Sequence, residues 1–246
     1  MARAAVPGRL NWLVATLAES KGETATARTL VLDVPGWPGH LAGQHVDVKL
    51  TAEDGYSAQR SYSIASAPDG ARLELTVQTI ADGEVSPYLT EVFAVGNPVE
   101  LRGPVGGWFV WRPESPSPVL LVAGGSGVVP LMAMIRAHAE AGSKVPLRLI
   151  YSVRTPADVI YARELSERTV ASPLALTYLY TREAPPGAPT GRINADVIAA
   201  AAWPPGDKPD IFICGPTGFV EAAANLLVKA GHAPAAIKTE RFGPTS

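Results

Sequence analysis

The sequence contains a single cysteine, Cys214, among its 246 residues. One thiol cannot form a disulfide within the chain, and it cannot supply the four cysteines that hold an iron–sulfur cluster. Histidines are also few, and they lack the spacing of metal ligands: His40, His45, His138 and His232. The sequence therefore predicts no metal centre within this chain.

A strong net charge and a long apolar run are also missing. The formal net charge is −2 with 18% charged residues, so no strong field attracts nucleic acid or an acidic membrane surface. No run of about 18 apolar residues could span a bilayer, and the N-terminus lacks the basic stretch and apolar core of a signal peptide. We expect no nucleic-acid partner, no membrane insertion and a cytoplasmic location.

The length and the proline distribution predict two domains. A chain of 246 residues exceeds the usual domain size of roughly 100 to 150 residues. Three prolines within residues 112–118 disfavour both a helix interior and a central strand, which marks a linker. We expect a first domain at 1–113 and a second at 114–246.

Hydrophobic patterning assigns a different fold class to each half. Upstream, strict alternation at 46–50 and 72–78, with frequent turn residues, indicates a small antiparallel barrel or sandwich. Downstream, helical patterns separate apolar runs at 119–123, 147–151, 174–180 and 210–214. This alternation predicts an α/β domain with a parallel sheet wrapped by helices.

The first candidate site is the segment Arg60-Ser61-Tyr62-Ser63. A cation, an aromatic ring and two hydroxyls on one extended segment suit an aromatic cofactor that carries phosphate. Alternation places Arg60 and Tyr62 on one face and the two serines on the other. Taken alone, the segment is also compatible with an ordinary half-exposed barrel strand.

A second segment, Val85-Ser86 followed by Pro87, predicts the start of a short helix. Ser86 would be the N-cap and Pro87 the first helical residue. The free N–H groups of such a helix would receive a pyrophosphate. The alternative is a capped helix without a ligand.

The third segment runs from Gly124 to Pro130, directly after the apolar run 119–123. Gly124, Gly125 and Gly127 would let the backbone approach a diphosphate, and Pro130 would begin a helix whose dipole attracts the anion. Two cofactor sites in this order indicate a flavoprotein that receives electrons from a nicotinamide.

The choice of nicotinamide depends on cations that could hold a 2′-phosphate. Arg154 and Arg182 follow the second and third apolar runs of the α/β half, at the carboxyl ends where open parallel sheets bind ligands. Arg192 lies ten residues after Arg182. Because a guanidinium grips phosphate with a planar fork, we expect NADPH, with NADH possible. The alternative is three solvated loop arginines.

The order of Arg-x-Tyr-Ser, Gly-Gly-x-Gly-x-x-Pro and Cys-Gly-Pro along nearly the whole chain resembles the ferredoxin–NADP reductase superfamily. The resemblance implies that the barrel binds FAD: Arg60 would contact the flavin phosphate, Tyr62 would lie against the isoalloxazine, and Ser63 would hydrogen-bond near N5. The stretch at Val85 and Ser86 would bind the flavin diphosphate. The sequence departs from the family at Glu84, where many relatives have glycine, and at 78–79, where relatives often have basic residues.

The same resemblance assigns residues to the second domain. Thr181-Arg182 and Gly191-Arg192 match the family's 2′-phosphate arginines, with the same ten-residue offset. Cys214-Gly215-Pro216 would lie near the nicotinamide C4, with the thiol in a positioning role. Near the C-terminus, Glu240 and Phe242 would lie against the flavin.

The implied function is hydride transfer from NADPH to FAD, followed by transfer of single electrons to an acceptor. Ser63, Cys214 and Glu240 would shape the contact between the cofactors. With no cluster of its own, the chain needs a separate acceptor protein, and the resemblance favours a ferredoxin or a flavodoxin. Two alternatives stay open: an NAD(P)H:flavin reductase that releases reduced flavin, and a non-catalytic cofactor-binding subunit.

Overall fold

The computed structural model describes residues 11–68, 72–171 and 174–243. Six strands form an antiparallel sheet in the order β4-β3-β6-β1-β2-β5. A bridge between Ile64, just after β4, and Leu75 of β5 brings the two outer strands together, as in a barrel. The strands are β1 (Leu13–Gly22), β2 (Ala27–Asp33), β3 (His45–Thr51), β4 (Ser57–Ser63), β5 (Arg72–Gln78) and β6 (Pro98–Val105). The first ten residues of the predicted flavin domain lie outside the described ranges.

Five further strands form a parallel sheet in the order β11-β10-β7-β8-β9. They are β7 (Val119–Gly124), β8 (Leu147–Val153), β9 (Leu174–Tyr180), β10 (Asp210–Pro216) and β11 (Ile237–Phe242). The helices are α1 (Val128–Glu140), α2 (Ala162–Ala171), α3 (Ala195–Ala201) and α4 (Thr217–Lys229). The predicted antiparallel and parallel halves are both confirmed. β11 was not predicted, since its sequence is short and mostly polar.

The central strand β7 explains why the second half needs helices on both faces. Every residue from Val119 to Gly124 is buried, as expected for a parallel strand covered on both sides. One face packs against α1 and α2, and the other packs against α3 and α4. The ends of the strands are left as the accessible edge.

The turn after β7 differs from the prediction in one respect. A 3₁₀ turn at Gly125–Gly127 leads directly into α1, which begins at Val128. The prediction that Pro130 begins this helix is therefore wrong by two residues. Pro130 lies in the first turn, where a backbone N–H has no partner within the helix, so the ring is tolerated there.

Arg136 of α1 joins the two halves. Its guanidinium donates to Glu74 of β5 at 2.6 Å, to the Ala65 carbonyl oxygen at 2.9 Å and to Glu164 of α2 at 2.6 Å. Burial alone would lower the pKa of Arg136, but its hydrogen bond to Glu164 and the charges of both carboxylates raise it instead. The side chain of Arg136 is 15% exposed, so these contacts fix one sheet against the other.

No helix within the described ranges is long and apolar enough to cross a membrane.

A candidate active site between the two sheets

A cleft of about 330 Å³ opens at the carboxyl ends of the parallel strands. Open parallel sheets bind ligands at this edge. Gln78 of the antiparallel sheet also lines the cleft, so both halves contribute to it. Six residues of the predicted site line this cleft: Gly124, Gly125, Arg154, Thr181, Pro216 and Phe242.

The three glycines after β7 serve different purposes. Gly125 has φ +55° and no atom near the position of a Cβ, so it is open to the cleft. A Cβ on Gly124 would lie 2.7 Å from the Phe219 ring, and one on Gly127 would lie 2.1 Å from the Cys214 carbonyl oxygen. Close approach of protein atoms therefore explains Gly124 and Gly127, and only Gly125 leaves its space to a ligand.

Gly215 also makes room for protein atoms. A Cβ there would lie 2.9 Å from the Phe219 ring and 3.2 Å from the Gly124 backbone. The ends of β7 and β10 can therefore lie side by side under this ring. Pro216 and Phe242 are register partners on β10 and β11, and Phe242, 37% exposed, offers an aromatic surface to the cleft.

The predicted arginines gather at the ends of β8 and β9. The N–H of Arg182 donates to the Arg154 carbonyl oxygen at 2.9 Å, and a bridge between Tyr180 and Thr190 brings the segment of Arg192 alongside. All three arginines are exposed. The cluster that the sequence predicts is therefore assembled by backbone contacts.

Within the cluster, Arg154 differs from the other two. Its guanidinium donates to Asp158 at 2.8 Å, and Asp158 also accepts from the backbone and hydroxyl of Thr155. Burial alone would raise the pKa of Asp158, but the hydrogen bonds from Thr155 and Arg154 lower it. In the described part of the chain, Arg182 and Arg192 have no acidic partner. These two are the cations most accessible to a phosphate.

The three predicted catalytic residues are linked through His45, which the sequence did not identify. Ser63 is the register partner of His45, and Cys214 is the register partner of Glu240. His45 Nδ1 lies 3.8 Å from Glu240 Oε1, across the boundary between the two sheets. No local sequence signal could have found this contact, because its partners are far apart in the chain.

The titratable groups at this junction are mostly uncharged. Burial raises the pKa of the Glu240 carboxyl to about 7. Burial lowers the pKa of the His45 imidazole, and the negative charge of Asp47 only partly offsets this shift. Burial, together with the charge of Glu240, raises the pKa of the Cys214 thiol. Glu240 Oε2 is buried and has no hydrogen-bond partner among the described residues. Glu240 can therefore hold a proton near neutral pH, and Cys214 remains a thiol.

The strand β4 presents the first predicted site. Arg60 is half-exposed, and Tyr62 packs at the margin of the barrel core. Burial raises the pKa of the Tyr62 hydroxyl to about 12. The hydroxyl of Ser61 donates to Asp47 at 2.7 Å. Arg60 and Tyr62 thus share a face, as alternation predicted, and Ser61 on the other face is exposed and bonded to the neighbouring strand β3.

The segment at Val85 and Ser86 corrects a prediction. A π-helical turn at Tyr88–Val92 follows Pro87, and no side chain caps it. The Ser86 hydroxyl instead accepts from the Ile80 N–H at 3.0 Å, so the prediction of a serine N-cap is wrong. Val85 and Ser86 are both buried. Because the Ser86 hydroxyl is engaged by the backbone of Ile80, six residues earlier in the same loop, it is not available to cap the helical turn.

These residues fit the two cofactors that the sequence implies. The open Gly125 and the arginine cluster suit the diphosphate and phosphate of a pyridine nucleotide. Arg60 and Tyr62 suit a flavin that carries phosphate. Glu240 Oε2 is a buried oxygen for which the described residues provide no donor, which indicates that a polar ligand completes the junction.

Comparisons with known proteins agree with this division. Residues 15–110 match the model of the oxidoreductase FAD-binding domain, and residues 121–225 match that of the oxidoreductase NAD-binding domain. The chain thus has an FAD-binding domain followed by an NAD-binding domain.

Curated relatives cover most of the chain. A ferredoxin reductase component of 3-ketosteroid-9-alpha-monooxygenase from Rhodococcus rhodochrous is 31% identical over an alignment that covers 98% of this chain and 68% of the relative. A glycine betaine monooxygenase reductase subunit from Chromohalobacter salexigens is 33% identical over 82% of this chain. The chain spans 56% to 60% of the length of that subunit, of a naphthalene 1,2-dioxygenase/salicylate 5-hydroxylase reductase component from Ralstonia sp. and of a toluate 1,2-dioxygenase electron transfer component from Pseudomonas putida.

Solved structures share the fold. The flavohem-like FAD/NAD-binding domain of nitric oxide dioxygenase from Vibrio cholerae superimposes with a TM-score of 0.85 at 25% identity, over 94% of this chain and 99% of that domain. A ferredoxin NADP⁺ reductase from Neisseria gonorrhoeae, with bound FAD and NADP, has a TM-score of 0.80 at 21% identity and covers 94% of this chain and 98% of its own. With both cofactor domains in this order, the chain belongs to the ferredoxin–NADP reductase superfamily.

Proposed function

We propose that this chain takes electrons from NADPH and passes them, through FAD, to an acceptor outside these 246 residues. The observation that carries the proposal is the convergence of Ser63, Cys214 and Glu240 at the junction of the two sheets. When bound, a nicotinamide would supply a hydride, and a flavin would supply an acceptor that can release single electrons.

The residues of the junction orient the cofactors and hold a proton. Cys214 is 2% exposed, so its thiol would help to position the nicotinamide ring and does not act as a nucleophile. Glu240 holds a proton on its carboxyl near neutral pH, close to the ring that Ser63 would contact. Residues 211–215 of β10 are buried, so this side of the junction would shield a bound hydride donor from water.

The acceptor we propose is a ferredoxin or a flavodoxin. Two observations support it: one cysteine cannot hold a cluster in this chain, and the relatives named above are reductase components of monooxygenases and dioxygenases. The test is anaerobic reduction of purified ferredoxin and of flavodoxin by the protein with NADPH. Reduction of either protein supports the proposal, and reduction of neither contradicts this choice of acceptor.

NADPH is proposed over NADH because Arg182 and Arg192 are exposed beyond the end of β9 and, among the described residues, have no acidic partner. Replacing both with alanine should weaken the binding of NADPH by about tenfold or more, because charge-assisted contacts to its 2′-phosphate are lost. The binding of NADH should stay nearly unchanged. Arg163→Ala, at an exposed arginine of α2, is the control and should affect neither nucleotide. Equal losses for NADPH and NADH would contradict the assignment.

A second candidate is an NAD(P)H:flavin reductase that releases its flavin. The observation in its favour is the ion pair between Arg60 and Glu84. Arg60 is the cation proposed to bind the flavin phosphate, and in this pair it is already bound to a carboxylate. Gel filtration separates the two functions. A protein that keeps its yellow colour through the column supports the electron-transfer role, and a colourless protein that reduces added flavin supports the second candidate.

A further inference from the structure

Glu84 forms an ion pair with Arg60, the cation of the proposed flavin site. Its Oε2 accepts from Arg60 Nη2 at 3.0 Å, and its Oε1 accepts from the Tyr56 hydroxyl at 2.7 Å. The other terminal nitrogen of Arg60 donates to the Gln59 carbonyl oxygen at 2.7 Å. Both terminal nitrogens of the guanidinium are therefore engaged by the protein itself.

This ion pair is easily exchanged. The Arg60 and Glu84 side chains are 54% and 51% exposed, and exposed pairs of this kind contribute little to stability. The diphosphate of FAD carries two negative charges and four non-bridging oxygens, and the phosphate monoester of FMN carries about −1.5 to −2 charges and three such oxygens. Each is therefore a better ligand for a guanidinium than a single carboxylate. A phosphate can displace Glu84 from Arg60, but it cannot remove the carboxylate from the neighbourhood.

The displaced carboxylate stays close because the loop holds it. Glu84 immediately precedes Val85 and Ser86, which are buried, and Ser86 is fixed by its hydrogen bond to the Ile80 N–H. The backbone of Glu84 is thus anchored beside β4, and its negative charge remains near any phosphate on Arg60. Like charges at this range repel one another.

We propose that Glu84 is an internal competitor for Arg60, which loosens the binding of phosphate-bearing flavins. This inference rests on the proposed assignment of Arg60 to the flavin phosphate. The penalty acts on the phosphates and not on the ring system. It should therefore be similar for FAD and FMN, whose phosphates carry nearly the same negative charge, and absent for riboflavin, which carries no phosphate.

The experiment compares the full chain with its Glu84→Gln variant, which keeps the shape of the side chain and removes its charge. FAD, FMN and riboflavin are each titrated at fixed ionic strength, and binding is followed by flavin fluorescence. Glu91→Gln is the matched control, because Glu91 is an exposed acidic residue of the following turn. Circular dichroism verifies that all variants are folded.

We expect Glu84→Gln to tighten the binding of FAD and of FMN by about fivefold to tenfold each, and the binding of riboflavin by less than about twofold. Glu91→Gln should leave all three unchanged. In an Arg60→Ala background, the gain for FAD should fall to about twofold, since no competition for the guanidinium is left. High salt screens these charges, so it should reduce the gain in FAD binding that Glu84→Gln causes when Arg60 is present.

The outcomes separate this inference from the proposed function. Unchanged or weaker FAD binding in Glu84→Gln overturns the competitor role, and so does an equal gain for riboflavin, which would indicate a change of pocket shape. If no flavin binds to any variant, or if Arg60→Ala leaves FAD binding unchanged, the proposed flavin site itself is refuted.

Discussion

Glu240 offers the sharpest test of the junction between the two sheets. Its carboxyl is buried at the edge of β11, one oxygen has no hydrogen-bond partner among the described residues, and His45 lies 3.8 Å from the other. Because burial lowers the pKa of His45, the imidazole is largely neutral at neutral pH and does not compensate an ionised Glu240. Replacing Glu240 with glutamine removes the ionisable group and keeps its shape.

The magnitude follows from the pKa of Glu240, which burial raises from 4.5 to about 7. A tenfold change in a protonation equilibrium corresponds to about 1.4 kcal/mol, so the ionised carboxylate costs the folded state about 3 kcal/mol. A raised carboxyl pKa means that the folded state binds the proton more tightly than the unfolded state does. The cost is absent below the unfolded pKa, grows as pH rises from 4.5 towards 7, and is fully present above 7.

The assay is urea unfolding of the flavin-free protein and of Glu240→Gln at several pH values. The free energy of unfolding of the variant should equal that of the parent at about pH 4. At about pH 8, it should exceed that of the parent by about 3 kcal/mol. Glu91→Gln, at an exposed position, should show no such trend. A difference that is constant across this pH range, or that has the opposite sign, would refute the claim that Glu240 is desolvated.

Three further variants test other parts of the structure. Gly127→Ala should destabilise the fold by about 3 kcal/mol in urea unfolding, because its Cβ would overlap the Cys214 carbonyl oxygen. Arg136→Met should cost about 3 kcal/mol in the same assay, since it leaves the partly buried Glu74 without its cation and Glu164 with Arg168 alone. Tyr62→Ala should lower the flavin content of the purified protein, measured from its visible absorbance, because the ring proposed to stack on the flavin is removed.

Matched variants serve as controls for the two stability tests. Gly218→Ala in α4 meets no atom within 4 Å, so it should be neutral or slightly stabilising. Arg163→Met breaks an exposed pair with Glu167 and should change stability by about 0.5 kcal/mol or less. Losses in these controls as large as those in Gly127→Ala and Arg136→Met would contradict the packing and ion-pair explanations. Flavin content unchanged in Tyr62→Ala would contradict the assignment of Tyr62.

Hydrophobic periodicity predicted both sheets, because it depends on short-range patterns that burial imposes directly. β11 was missed because Lys238 and Glu240 break the apolar pattern of a buried strand. The proposed domain boundary after residue 113 lies between β6 and β7, and it stays a prediction.

The site was less predictable than the fold. The sequence predicted that Gly124 and Gly127 let the backbone approach a diphosphate, whereas Phe219 and Cys214 fill the space beside them. It also could not show that His45 meets Glu240, or that Arg60 is paired with Glu84. Each of these contacts joins segments that only the tertiary structure brings together.

The central claim is that NADPH reduces an FAD held by this chain. The most direct measurement is the visible spectrum of the purified protein, loaded with FAD under anaerobic conditions, before and after addition of NADPH and, in parallel, of NADH. The account predicts that the absorbance of bound flavin bleaches, and that it does so faster with NADPH than with NADH. A bound-flavin spectrum that neither nucleotide changes would contradict it.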